Sequence, residues 1–411
     1  MLSRLHPVPP SATTRLDLLP TELIQFIFSH LNPSSVLKYT RLCFRIRNCL
    51  LHPYFALQLL NWHETSAAAL SLSNLFLGLD IPSLFSTIVT APASPPPSLE
   101  GDPPSLQSPT TLDRLWFKFP APFQSAYAKT HYTNLKSLHC QNWPIQTAIP
   151  PTLHHLTNLT RLIFRNNSLQ GGIPETISLL TGLTLLCFEA CGLDGGIPSS
   201  LGKLTHLQVL ILKNNAFSGM LPESLEALTA LERVDVSSNC FSGPVSGALF
   251  KGWSKNLRIM NLSWNQFSGH LSPSLCECQQ LEELNLRGNQ FSGRSCFSKE
   301  SATGVARLRL LRKLDLGGGN AFSGVLTDEL SACLALRDVA LDGNNFFGRL
   351  PADLGNLPFL ERFDVVSVDK PPGRAVAGEG GFDKWMPSTV REGSLLCALL
   401  KRQGFKHEWK H

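Results

Sequence analysis

Ten leucines, at positions 135, 159, 183, 207, 231, 257, 281, 311, 336 and 360, open the same phrase. From Leu207 it reads LQVLILKNNAFSGMLPESLEALTA, from Leu231 LERVDVSSNCFSGPV, and from Leu257 LRIMNLSWNQFSGHL. The common pattern is L-x-x-L-x-L-x-x-N-x-F-S-G-x-I/L-P-x-x-L-x-x-L, and most spacings are 24 residues. A unit this short cannot bury its apolar side chains alone. It does so by stacking on copies of itself, which makes a solenoid, a fold whose usual product is a long binding surface.

Each position has a physical job. The L-x-L segment alternates with period two and predicts a short strand with one face buried. Parallel strands stack roughly 4.8 Å apart, so ten make an inner arc on the order of 45 Å. Asn167, Asn215, Asn239, Asn265, Asn289, Asn320 and Asn344 stand where the chain leaves the strand. Their amides can satisfy backbone groups that no ladder reaches. Cys191 takes that place in one unit, an accepted substitute. Two residues on, Leu169, Leu193, Phe217, Phe241, Phe267, Phe291, Phe322 and Phe346 predict a second buried line. A glycine follows, allowing a tight bend. The I-P or L-P steps at 173–174, 197–198, 221–222 and 350–351 favour extended backbone.

This block resembles the leucine-rich repeats typical of plant receptors and related proteins, over somewhat more than half the chain. Leu193 to Leu225, LDGGIPSSLGKLTHLQVLILKNNAFSGMLPESL, carries that subclass pattern almost letter for letter. The implied fold class is an α/β leucine-rich-repeat solenoid with parallel strands on its concave face. Departures cluster late. The unit from Leu231 has 26 residues, with Trp253 in the extra stretch; the unit from Leu281 has 30 and lacks its proline. The unit from Leu311 carries an additional glycine in Gly317-Gly318-Gly319, and the last breaks off after LERFDVV. Such insertions map to loops, either at a binding edge or as drift in exposed chain.

Residues 16–55 read LDLLPTELIQFIFSHLNPSSVLKYTRLCFRIRNCLLHPYF. Leu23, Ile24, Ile27, Phe28 and Leu31 predict an amphipathic helix, with Pro20 in its first turn. Asn32-Pro33 opens a second helix that turns Val36 and Leu37 inward. A third, from Arg45 to Leu51, stops before Pro53. Leu19-Pro20, Glu22-Leu23, Ile27-Phe28, Leu31, Pro33, Leu37 and Leu42-Cys43 are similar, in order and without gaps, to the F-box phrase. Ile46 departs from it, standing where the family usually has Trp. The resemblance implies a small all-α domain that binds a Skp-type adaptor through Leu19, Pro20, Ile24, Ile27, Phe28, Leu31 and Leu37. The bland alternative is a helical cap for the solenoid, which repeat arrays need.

A net charge of +5 over 411 residues, without a dense basic stripe, argues against nucleic acid as a partner. Pro7, Pro9 and Pro10 interrupt the first residues, so no secretory leader is expected. Asn74, Asp80 and Pro82 break the apolar stretch from Ala67 to Val89, so no membrane span is expected either. The eleven cysteines lack the paired caps of many secreted repeat proteins, and Cys276-Glu277-Cys278 is too close-set for a zinc pair. Reduced thiols in a cytoplasmic or nuclear compartment are the resulting expectation. The glycosylation sequons at Asn158, Asn166 and Asn261 then count as accidental.

The expected organisation is a disordered N-terminus (1–15), an F-box-like helical domain (16–63) and connecting helices (64–90). A Pro/Ser-rich linker (91–111) leads to an aromatic N-terminal cap (112–134) and the repeats (135–368). A loop (369–389) and a C-terminal capping helix with a basic tail (390–411) complete the chain.

No metal-ligand pair at helical spacing, G-x-S-x-G, P-loop or kinase motif set stands in the chain, so neither an enzyme nor a cofactor is predicted. What the resemblances imply is a substrate receptor of a Skp–cullin–F-box ubiquitin ligase, marking a protein target for ubiquitin-dependent degradation. The alternative is an intracellular recognition scaffold without a ligase role; a secreted receptor ranks third. Counting from each opening leucine, positions three, five, seven and eight should face the concave side. The target face then comprises Arg161, Ile163, Arg165, Val209, Ile211, Lys213, Arg233, Asp235, Asn261, Trp264, Glu283, Arg287, Lys313, Asp315, Asp338, Asp342, Arg362 and Asp364. It grades from basic and apolar to mixed and acidic. Trp264, at a position usually held by Ser or Gly, is its strongest single candidate.

Overall fold

The structure is a computed structural model. It describes Phe117, Gln124, Ser125, Ala128, Tyr132, residues 134–143, 145–294, 296–298, 304–365, Val390 and residues 394–404. The expected adaptor residues, from Leu19 to Leu37, lie outside the described residues, as do the linker and residues 405–411 of the basic tail. The chain divides into two compact units, 1–102 with 109–133, and 103–108 with 134–411. In the first, Gln124 donates its amide to the Phe117 carbonyl at 3.4 Å, and both residues are buried.

The second unit is the solenoid. Its main sheet has ten parallel strands: β1 (Ser137–Gln141), β2 (Arg161–Arg165), β3 (Leu185–Glu189), β5 (Val209–Ile211), β7 (Arg233–Asp235), β9 (Ile259–Asn261), β11 (Glu283–Asn285), β13 (Lys313–Asp315), β15 (Asp338–Ala340) and β17 (Arg362–Asp364). The register pairs like with like. Leu162 lies opposite Leu138 and Leu186, and Leu284 lies between Met260 and Leu314. Positions one, four and six of each unit form three buried columns. In the unit from Leu207 they are Leu207, Leu210 and Leu212, each at most 1% exposed. Parallel sheets are normally covered on both faces. Here one face packs on the core and positions three, five and seven stand on the other.

A second sheet of seven short parallel strands runs beside the first: β4 (Asp194–Gly195), β6 (Ala216–Gly219), β8 (Cys240–Gly243), β10 (Gln266–Gly269), β12 (Gln290–Arg294), β14 (Ala321–Val325) and β16 (Asn345–Phe347). It carries the second buried line. Phe217, Phe241, Phe267, Phe291, Phe322 and Phe346 stack face to face, with ring centroids 5.8–6.3 Å apart. Short 3-10 helices such as Ser199–Lys203 and Glu223–Ala227 close the outer side. The extended prolines predicted at the I-P and L-P steps, among them Pro198 (φ −66°, ψ 137°), stand at their N-caps.

Between the sheets the position-nine asparagines form a ladder. Asn239 donates Nδ2 to the Leu212, Val236 and Ser237 carbonyls at 3.0, 3.0 and 3.1 Å, and its Oδ1 accepts the Phe217 N–H at 3.1 Å. Asn215, Asn265, Asn289, Asn320 and Asn344 repeat the arrangement, each reaching back to the preceding unit. Cys191 does half of it: its thiol donates to the Phe164 and Glu189 carbonyls. It has no acceptor to offer, and the Leu169 N–H goes instead to the Cys191 carbonyl.

Where the structure describes them, the insertions fold against the repeats. The extra residues of the unit from Leu231 convert its 3-10 helix into α1 (Gly247–Trp253). Trp253 is fully buried and donates Nε1 to the Leu225 carbonyl at 2.8 Å, so it belongs to the core and not to a binding edge. A side chain at Gly252 would collide with the Glu226 carbonyl, which is why the helix needs glycine there to close on its neighbour. The longer stretch after β12 buries Cys296, Phe297 and Ser298. The Ser298 hydroxyl donates to the Ser323 carbonyl and the Thr327 N–H to the Phe297 carbonyl, which ties the stretch to the following unit.

At the far end, helix α2 (Leu395–Arg402) is capped by Ser394, whose Oγ accepts the Cys397 N–H. Gln403 just beyond it donates to the Phe363 carbonyl at 2.6 Å and accepts the Val365 N–H at 2.8 Å. These bonds satisfy groups at and just after β17 that no further strand of the described residues pairs, the ordinary way of blunting a sheet edge.

Candidate binding face

The open face of the ten-strand sheet holds the predicted target residues, but not as an evenly free surface. Position five is partly structural. The Asp235 carboxylate accepts the Ser237 N–H at 3.2 Å and its hydroxyl at 2.6 Å. Asn261 does the same for Ser263, Asn285 accepts the Arg287 N–H, and Asp315 the Gly317 N–H. These N–H groups lie where the chain leaves the ladder, and an acid or amide two residues back is the nearest acceptor. Asp235 and Asp315 are therefore only 3% and 7% exposed. Ile211 is 9% exposed. Counting by register placed these three on an open surface; the turn geometry and neighbouring side chains largely close it over them.

Position seven is networked. Glu189 takes Arg165 at 3.2 Å and Lys213 at 2.9 Å. Arg287 makes a two-bonded pair with Asp342, at 3.0 and 2.9 Å, and also reaches Asp315 at 3.3 Å. The Arg287–Asp342 pair skips a whole unit. It can do so because Gly317, the intervening position-seven residue, has no side chain: a Cβ there would run into both Asp342 and Arg287. The additional glycine run Gly317-Gly318-Gly319 thus makes room for an ion pair. Among position-three residues, Arg161, Arg233, Lys313 and Asp338 are half-buried and Glu283 is exposed. Burial raises the Asp338 carboxyl above its ordinary value, against the opposing pull of Arg362 and Lys313. Arg362 itself pairs with Asp364 at 2.6 Å and lies 3.9 Å from Asp338.

Position eight has a property the counting did not supply. Asn142, Asn166, Ala190, Asn214, Ser238 and Trp264 all have φ between +50° and +58°, and Gly288, Gly318 and Gly343 continue the column at +67° to +74°. Left-handed backbone suits Gly and Asn and disfavours a bulky residue. Trp264 adopts it with φ +57° and leaves 57% of itself exposed. Its ring lies over the bare Cα of Gly288, where a Cβ would meet Trp264 carbon atoms.

Counting also passed over Glu189 and Asn285. Both fall at positions seven and five of their units, so the register that found Arg165 and Asn261 contained them too. Among the described residues no group of histidine, cysteine and carboxylate side chains is arranged to hold a metal ion. No helix of those residues is long and apolar enough to cross a membrane.

Two parallel sheets, an asparagine ladder and an open strand face define a leucine-rich-repeat protein-interaction module. The Leucine Rich Repeat family model matches residues 158–180, 206–228, 256–278 and 280–299. No curated protein matches the chain. Among solved structures, the plant peptide hormone receptor RGFR1 in complex with RGF2 is 32% identical, with a TM-score of 0.52 over 56% of this chain and 35% of the receptor chain. The HAESA receptor-kinase ectodomain from Arabidopsis, in complex with an N-terminally extended IDA peptide hormone, is 27% identical, with a TM-score of 0.50 over 65% of this chain and 49% of its own. This chain thus spans half or less of either. The likeness corrects the expectation of a cytoplasmic or nuclear protein. That expectation rested on cysteine usage and the first residues, whereas the repeats match a receptor kinase's ectodomain, the part that lies outside the cell.

Proposed function

We propose that the open face of the ten-strand sheet docks a polypeptide partner, with Trp264 as its anchor. One observation carries this reading: a tryptophan held in left-handed backbone and left mostly in water. The conformation costs about 1–2 kcal/mol, and a 57% exposed ring returns only part of that to the fold. Residues kept at such a cost cluster at binding sites, and Trp leads the residue types found at hot spots. The two solved receptors were both captured with peptide hormones, which is in keeping with the reading. The test replaces Trp264 by Asn, the residue that Asn142, Asn166 and Asn214 show to be at home in this column. Trp264→Asn should lower partner capture at least tenfold while the melting temperature moves little. A partner, found by proximity labelling, that binds the variant as well as the wild type removes Trp264 from the site.

A second reading adds a ligase. The ordered match of Leu19-Pro20, Glu22-Leu23, Ile27-Phe28, Leu31, Pro33, Leu37 and Leu42-Cys43 favours residues 16–63 as an F-box that hands the docked polypeptide to a cullin ligase core through a Skp-type adaptor. An adaptor has to share the chain's compartment, so co-purification from the cells that make the protein separates this role from a receptor-like one. The wild type should retain a Skp-type protein and Leu19→Ala with Pro20→Ala should lose it. If neither retains one, the ligase role is wrong and the docking face stands by itself.

A further inference from the structure

Several buried thiols of the solenoid are accounted for by the repeat. Cys191 donates to the Phe164 and Glu189 carbonyls, Cys278 to the Phe250 carbonyl at 3.5 Å and Cys333 to the Val305 carbonyl at 3.4 Å. Cys191 stands for a ladder asparagine. Cys278 and Cys333 fall three residues before the next opening leucine, where other units carry Leu204, Leu228 and Leu308. Cys276 and Cys296 are different. Their thiols hydrogen-bond to each other, and the two residues are 2% and 0% exposed. Cys276 is the fourth residue of the 3-10 helix Pro273–Glu277, a place held by Ser178, Gly202, Glu226, Ser331 and Gly355 in other units. Cys296 lies in the insertion and answers to no place in the repeat. The register therefore asks for neither cysteine, yet the fold brings the two together.

We propose that Cys276 and Cys296 close a disulfide that staples the insertion of the unit from Leu281 to the unit before it. This is the weakest join of the outer side. The other 3-10 helices among the described residues run five residues from an extended N-cap residue, such as Pro222 or Ser272. The unit from Leu281 lacks that proline, and its helix shrinks to Val305–Arg307, entered through Gly304 at φ +93°. Ser298 and Phe297 already tie the insertion to the following unit. A bond from Cys296 to Cys276 adds the tie to the preceding one. It also closes a loop of about twenty residues, which removes freedom from the unfolded chain.

The chemistry has a direction. The hydrogen bond from Cys296 holds the Cys276 thiol below its ordinary value, while the same bond, and then burial, raises Cys296. Cys276 is accordingly the thiolate that opens the exchange. It attacks one sulfur of glutathione disulfide and expels a glutathione thiolate. Cys296 then passes its proton to that thiolate, attacks the Cys276 sulfur of the mixed disulfide and expels the second glutathione. Two protein thiols are oxidised, and one small-molecule disulfide is reduced to two thiols. Both sulfurs are buried in the closed unit, so the exchange takes place as the chain folds. The bond lasts in an oxidising compartment, the one to which the likeness to a receptor-kinase ectodomain points.

The test takes the full-length protein from the cells that make it, denatures it at once in urea with N-ethylmaleimide, and digests it with trypsin without reductant. Cys276 and Cys278 fall in peptide 259–287 and Cys296 in peptide 295–299. Mass spectrometry should find these two peptides linked, and the linkage should vanish on reduction and in Cys276→Ser or Cys296→Ser. It should survive in Cys278→Leu, which installs the residue that other units carry at that place. A phosphine reductant should lower the Tm of the wild type by roughly 5–10 °C and leave that of Cys296→Ser where it was. N-ethylmaleimide on both Cys276 and Cys296 of the wild type, or a link that runs through Cys278, overturns the proposal. So does an equal fall in Tm for the wild type and Cys296→Ser. The wild-type map decides the matter even where a variant fails to fold.

Discussion

Replacing Asn239 by leucine probes what holds the units together. Asn239 makes four hydrogen bonds, three donated by Nδ2 and one accepted by Oδ1, and two of them, to the Leu212 carbonyl and from the Phe217 N–H, cross to the preceding repeat. In Asn239→Leu the Phe217 N–H loses its acceptor between two packed sheets, while the Leu212 and Val236 carbonyls each keep one donor, from Asn215 and Asn265. An orphaned buried polar group costs about 1–3 kcal/mol. One such group, with two carbonyls that lose one of two donors, gives a loss of about 1–3 kcal/mol. For a unit of this size that corresponds to a fall in Tm of roughly 2–10 °C. The neighbouring residue is the control. Ser238 has φ +54° and stands on the open face, so Ser238→Ala should change little. Ser238→Gly should raise stability by about 0.5–1 kcal/mol by relieving the left-handed backbone. Thermal melts by circular dichroism read all three. Equal shifts for Asn239→Leu and Ser238→Ala would refute the ladder as the source of cohesion between units.

Three other outcomes follow from named contacts. Gly317→Ala should break the Arg287–Asp342 pair that passes over it and lower stability by about 1–3 kcal/mol, while Gly171→Ala, whose Cβ meets nothing, should cost only its backbone strain. Asp338 is raised by burial, so the folded state holds its proton more tightly than the unfolded chain does. Its contribution is then present below the ordinary carboxylate range and is lost as pH rises through the raised folded value. Asp338→Asn should accordingly raise Tm at pH 7 and make no difference at pH 3; a gain independent of pH would contradict this. Burial pushes the Cys191 thiol up to about 11 and those of Cys278 and Cys333 to about 12. In the folded protein at pH 8 iodoacetamide should therefore leave these three unmodified while exposed Cys240 reacts, as peptide mass mapping would show.

The main sheet was legible because its signal repeats. One Leu-x-Leu is weak, but ten in register are not open to another period, and the register predicted the burial of Leu162, Leu210 and Leu284 alike. The Asn ladder and the phenylalanine line were readable for the same reason. The second sheet was not. Its strands run two to five residues, too short for an alternating pattern, and the F-S-G within them reads equally well as a turn. Trp253 was misplaced because an insertion looks the same in sequence whether it loops out or folds in; only its bond to the Leu225 carbonyl and the close approach at Gly252 decide it. On the binding face, register counting told which side of the strand a residue occupies. It did not tell which side chains turn back to cap their own backbone, as Asp235 and Asp315 do. The Asn and Gly content of position eight was the available sign of left-handed backbone, and it makes Trp264 more unusual than its exposure alone.

Hydroxyl-radical footprinting of the protein with and without a captured partner tests the docking face most directly. Trp264 on the ten-strand sheet and Phe347 on the seven-strand sheet are 57% and 44% exposed, so both should be oxidised in the free protein. Partner binding should protect Trp264 and leave Phe347 as reactive as before. Protection of Phe347 with Trp264 still oxidised at its free rate would contradict the account.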